Sequence, residues 1–68
     1  MNYYHTYVSK TFDAERDAVQ LCSALLPFAA VEVQPVLGGF VVTCGLGDED
    51  ELAMLEAAEQ DWHRREKE

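Results

Sequence analysis

The sequence predicts a small α+β domain in the order β-α-β-β-α, with a three-stranded antiparallel sheet of order 1-3-2 and both helices on one face. Three features carry this reading: an N-terminal run rich in aromatic and β-branched residues, two stretches with apolar residues at helical spacing, and a Gly-Gly pair between two alternating segments. Sixty-eight residues is the scale of one domain, so residues 1–68 are expected to form a single acidic unit. Apolar residues make up 49% of the chain, enough for a core without help from a metal or disulfide.

The elements follow in order. Asn2 to Phe12 holds Tyr3, Tyr4, Thr6, Tyr7, Val8, Thr11 and Phe12 and reads as the first strand. Asp13 is the expected N-cap of the first helix, with Glu15 and Asp17 in its first turn, where acids suit the helix dipole. Ala14, Ala18, Leu21, Cys22 and Leu25 form its apolar stripe, and Pro27 ends it by disfavouring helical backbone at Leu26. Ala29 to Leu37 alternates as a second strand, with Ala29, Val31, Val33 and Leu37 on one face and Glu32 and Gln34 on the other. Gly38-Gly39 turns the chain into a third strand, Phe40 to Cys44, pairing Leu37 with Phe40 and Val33 with Cys44. Pro35 cannot donate to a ladder, which places the second strand at a sheet edge. Gly45-Leu-Gly47 breaks the third strand, and Asp48 caps a long second helix. That helix turns Leu52, Leu55, Ala58 and Trp62 to the core and Glu49, Ala53, Glu56, Gln60 and His63 to water. Arg64, Arg65 and Lys67 close it, where cations suit the dipole. The expected core is Leu21, Leu25, Val31, Val33, Phe40, Val42, Leu55 and Trp62. A right-handed crossover with the third strand inserted centrally leaves one sheet face open. That face should carry Glu32, Gln34, Val36, Val41 and Thr43, joined by Tyr3, His5 and Tyr7.

Charge is the unusual property. Thirteen acids against five bases give a net charge of −8, and seven acids with no base lie between Asp48 and Asp61. Such a field repels nucleic acid and anionic membranes and speeds encounter with positive surfaces, although acidity also serves solubility. The N-terminus has neither the basic nor the apolar segment of a secretory signal, and no apolar run is long enough to span a bilayer. A reducing cytoplasm is therefore the expected compartment, with Cys22 and Cys44 as reduced, structural residues.

Catalytic and cofactor chemistry finds little support. His5 and His63 lack a nearby nucleophile and orienting group, and the glycines match no phosphate-binding spacing. His5, Cys22, Cys44 and His63 have no diagnostic ligand spacing, so no metal or other cofactor is expected. Asp48, Asp50 and Glu59 match three positions of a calcium loop, but Leu52 and Ala53 stand where an oxygen ligand and a glycine are required. The carboxylates are all expected to be exposed, which leaves nothing to tune an acid–base pair. The chain is not expected to be an enzyme.

A helix with carboxylates three or four residues apart spaces them ~4.5–6 Å along its axis. DNA phosphates recur every ~3.4 Å along each strand, so such a helix can engage the same arginines and lysines. The expected partner-binding surface is Asp48, Glu49, Asp50, Glu51, Glu56, Glu59 and Asp61, extended by Asp13 and Asp17. In size, acidity and compact α/β pattern the whole chain resembles the small acidic anti-CRISPR proteins of bacteriophages, several of which mimic DNA. The likeness is greatest to inhibitors of type I effector complexes, type I-C among them, and rests on no shared motif. The resemblance implies an inhibitor in the bacterial host cytoplasm that occupies a basic DNA-reading surface, binds no DNA itself, and is a monomer or weak homodimer. The basic tail of Arg64, Arg65 and Lys67 departs from a pure mimic. A second reading is a regulatory or antitoxin-like module that binds a cognate protein through the open sheet face, at Tyr3, Tyr7, Glu32 and Val41.

Overall fold

The computed structural model describes residues 5–66. Their order is β1 (His5–Val8), α1 (Glu15–Leu25), β2 (Glu32–Val36), β3 (Gly39–Leu46) and α2 (Glu49–Glu66), and the sheet order is β1-β3-β2 with both pairings antiparallel. The expected fold class and sheet order are therefore those observed. Helix α1 packs over β3 and β2, helix α2 lies mainly over β1, and the helices touch each other. Between sheet and helices lies the core of Tyr7, Phe12, Ala18, Leu21, Leu25, Val31, Val42, Cys44, Leu46 and Leu55. Val33, Phe40 and Trp62, also expected there, are half-buried against it.

The first strand departs most from expectation. Val8 pairs with Thr43, yet Phe12 pairs with Phe40, so four steps along one strand match three along the other. One extra residue is a β-bulge, which reverses the alternation of side chains beyond it. Tyr7 and Phe12 consequently both face the helices, although their odd and even positions would send them to opposite sides of a regular strand. Ser9 repairs the gap. Its N–H donates to the Val42 carbonyl at 2.9 Å, and its Oγ accepts the Val42 N–H at 2.8 Å. Tyr7 is thus a core residue, not part of the open face, and His5, opposite Leu46, shares its side of the sheet. Tyr3 lies outside the described residues.

The hairpin also turns one residue earlier than expected. Val36 pairs with Gly39 and Val33 with Val42, so the loop is Leu37-Gly38 and Leu37 is fully exposed. This register differs by two from the expected one, and an even shift keeps each side chain on its face. Gly38, at φ 94, supplies the positive dihedral that follows Leu37, the sign pattern of a type II turn. Gly39, at φ 150, has no room for a side chain, because a Cβ there would collide with the Phe12 carbonyl. Phe40 exchanges both backbone hydrogen bonds with Phe12, at 2.7 and 2.8 Å, so Pro35 opposite it is not asked for a bond to β3. Its missing N–H faces the outer edge.

Both helices have the expected stripes but not all the expected ends. The N-cap of α1 is Ala14, without a side-chain hydrogen bond, and not Asp13. Leu26 remains helical at φ −54, ψ −36 and still donates to Cys22. Pro27 therefore ends α1 by withholding an N–H, not by twisting its predecessor. Strand β3 runs on through Gly45 to Leu46 before Asp48 caps α2, its Oδ1 accepting the Asp50 N–H at 2.8 Å. Among the described residues no helix is long and apolar enough to cross a membrane.

Leu55 is wholly buried, so Leu55→Ala should cost about 2–5 kcal/mol in urea unfolding. Gly39→Ala should cost about 1–3 kcal/mol through strain and collision with Phe12. Leu37→Ala, at the exposed turn, should stay within about 0.5 kcal/mol of wild type. A Gly39→Ala variant as stable as the wild type would contradict the close approach at the bulge.

Candidate functional site

The seven acids from Asp48 to Asp61 do not form one surface. Glu59 follows Leu52 and Leu55 at helical spacing, which turns it inward, and it is only 8% exposed. Removing a carboxylate from water costs several kcal/mol unless hydrogen bonds replace hydration. Here they do. Tyr7 O–H donates to Glu59 Oε1 at 2.7 Å and the Lys10 N–H to Oε2 at 3.1 Å. His63 Nε2 lies 3.2 Å from Oε2 and donates when that nitrogen carries the proton. The bulge is what points the Lys10 N–H at α2.

This cluster corrects two expectations, since Glu59 is not a free surface acid and His63 does not face water. His63 is half-buried and stacks on Phe12 at 6.1 Å, while Trp62 meets Phe12 edge-on at 6.0 Å. Burial first, then the hydrogen bond to Glu59 and the charges of Glu59 and Glu56, push the Tyr7 phenol far above its ordinary range. Tyr7 is therefore a neutral donor, and at 1% exposure it is out of a substrate's reach. Chemically the cluster ties β1 to α2. Its sequence signal was spacing: Glu59 stands four after Leu55 and three before Trp62, in the core stripe, although Ala58 is the more apolar neighbour.

Asp61 is also spoken for. Its two oxygens meet Arg64 at 3.2 Å and Arg65 at 2.9 Å, within the last turns of α2. The other five acids behave as expected. Asp48, Glu49, Asp50, Glu51 and Glu56 are exposed, and among the described residues none has a basic group within ion-pair distance. Asp13 is exposed, and Asp17 lies away from the start of α2. Asp17 lines a cleft with His63 and Glu66, and Glu66 is about 22 Å along the helix axis from Glu51. Asp17 and Glu66 thus stand apart from the acids at the start of α2, in a cleft that Lys10 also lines.

The uncovered sheet face carries Thr6, Val8, Glu32, Gln34, Val36, Val41 and Thr43 by register. Glu32 is exposed as expected, but Val41, in the central strand, is buried and offers little contact area. Tyr7 is absent from the face, which leaves Val8 and Val36 as its exposed apolar groups. Cys22 and Cys44 are free thiols. Burial, with Glu32 near both and Glu51 near Cys44, raises their pKa values and disfavours the reactive thiolate. Helix α2 runs unbroken through Asp50 to Glu59 with Glu59 turned inward, which is incompatible with a calcium loop there. Comparison of the chain with protein-family models, curated proteins and solved structures returns no match.

Two stability tests follow from the cluster. Glu59→Ala leaves the Tyr7 hydroxyl and Lys10 N–H without their acceptor and should cost about 2–4 kcal/mol in urea unfolding, with Tyr7→Phe costing about 1–2 kcal/mol. Glu59→Lys buries a cation among donors and should unfold the domain; a stable Glu59→Lys protein would refute the anchoring role. The second test is pH. Groups whose ionisation is suppressed by folding stabilise fully below their unfolded pKa, and that contribution is lost as pH rises above it. Stability should decline first in the thiol range and more steeply above about pH 10, and Tyr7→Phe should remove the steeper part. Equal decline in both proteins would contradict the linkage to Tyr7.

Proposed function

We propose that this chain is a binding protein, not an enzyme, and that the start of α2 docks on a basic surface that otherwise reads DNA. One observation carries the reading: five exposed carboxylates, Asp48, Glu49, Asp50, Glu51 and Glu56, lie on the cap and first turns of one helix, and among the described residues none has a base within ion-pair distance. A rigid array presents its charge without the ordering cost of a flexible tail. Part of this acidity serves α2 itself, since acids in the first turn suit the dipole by about 0.3–1 kcal/mol each. Glu56 lies beyond the first turn, and that role does not account for it.

The resemblance to acidic anti-CRISPR proteins selects the partner: a type I CRISPR effector complex, type I-C among them, whose target-DNA site is blocked in the bacterial cytoplasm. The binder would be a monomer or weak homodimer, with no affinity for DNA itself. The open sheet face supports a second reading, a regulatory or antitoxin-like module, through exposed Val8 and Val36. Salt separates the two. Charge-driven docking weakens steeply with ionic strength and competes with DNA, whereas an apolar face does neither.

The decisive variant is Glu49/Glu51/Glu56→Lys, with Glu59 left intact because it holds the fold. It moves the net charge from −8 to −2, each reversal adding two units. Folding should change by no more than about 1 kcal/mol per site. Competition with target DNA for a type I effector should be lost, mainly through slower association. If wild-type protein never competes with DNA for such a complex, the proposal fails. If the reversed variant folds and still competes, the open face becomes the better site.

A further inference from the structure

At the far end of α2 the two acids Asp17 and Glu66 share a cleft furnished for a cation. Between the bulge and the last turns of α2 is an open cleft of about 270 Å³. Phe12, Trp62 and His63 supply its more buried lining, and Lys10, Asp17 and Glu66 stand around them. The rings are mutually fixed. Trp62 meets His63 edge-on at 5.0 Å and Phe12 at 6.0 Å, while His63 stacks on Phe12 and is held from behind by Glu59. The chain's own Lys10 ammonium sits 5.2 Å from the centre of the Phe12 ring, which marks the ring face as a place where positive charge is held.

We infer that this cleft accepts one arginine side chain of a basic protein partner, its guanidinium displacing Lys10 from the ring face and pairing with Asp17 and Glu66. The inference rests on the proposed binding of a basic surface and names a side chain that surface inserts. Arginine fits better than lysine because its planar, weakly hydrated head stacks on rings and meets a carboxylate with two donors. Lys10 is exposed at the end of a flexible stem, so it can swing into water. It then acts as a placeholder that keeps the ring face charged until a better-shaped cation arrives.

The test is NMR titration of the full chain with acetylated, amidated Gly-Arg-Gly, and with the same peptide carrying lysine or uncharged citrulline. The Trp62 indole N–H and the Asp17 and Glu66 amides should shift saturably with the arginine peptide, less with lysine, and not with citrulline. Asp17→Asn/Glu66→Gln should weaken binding about five-fold. Lys10→Gln should tighten it about three-fold by freeing the ring face. Arg16→Gln, which removes the same charge from outside the cleft, should do less. Shifts confined to Asp48–Glu51, equal binding of citrulline, or equal effects of Lys10→Gln and Arg16→Gln would each overturn the site. Effector competition is measured separately. A silent cleft in a protein that still blocks DNA removes this inference alone. Saturable arginine binding by a protein that never blocks DNA removes the proposed function and leaves the cleft.

Discussion

The buried Glu59 carboxylate is the constraint around which the molecule is arranged. A carboxylate inside a domain of this size is a liability of several kcal/mol unless its oxygens are satisfied. The Tyr7 hydroxyl and the Lys10 N–H donate to it at 2.7 and 3.1 Å, and His63 Nε2 lies 3.2 Å away. Tyr7 precedes the bulge and Lys10 lies within it. The bulge therefore does more than bend a strand. It brings a phenol and a backbone N–H to bear on one point of α2, which sets where the helix crosses β1. Apolar packing alone is non-directional and would let a helix with so short a stripe slide or roll. Directional bonds to one carboxylate remove that freedom.

With the helix fixed, the charge falls into distinct roles. Glu59 holds the fold, Asp61 neutralises the arginines behind it, and the acids at the start of α2 remain uncompensated. The seven acids from Asp48 to Asp61 are thus three populations that respond differently to mutation. Reversing charges without regard to burial would confuse loss of folding with loss of binding. The same helix also carries Trp62 and His63 of the cleft at its far end, so the two proposed contacts lie at opposite ends of one element.

Much of the architecture was legible because the signals were local. Helical spacing placed Leu21, Leu25 and Leu55 correctly, the aspartate before α2 announced its cap, and Pro35 forced β2 to an edge. Three of the failures share a cause. Tyr7 and His63 were placed by strand alternation and helical phase and Glu59 as a surface acid, when their places depend on one another. A buried acid becomes acceptable only once a bulge 49 residues earlier in the chain supplies its donors. No local pattern announces that. The hairpin register failed for a different reason, since two adjacent glycines allow two turn positions and only the Phe12 carbonyl, close against Gly39, selects between them.

Pro35 has a consequence for the molecule in a crowded solution. Sheets that meet edge to edge can propagate without limit, provided each unit offers two receptive rims. Here the β2 rim is one-sided in its chemistry: Glu32, Gln34 and Val36 pair inward with β3, and Pro35 contributes no proton, so Val33 is left as the strand's one outward donor. Growth across the β2 rim is thereby disfavoured, since a strand laid there would meet one N–H where a regular strand offers two.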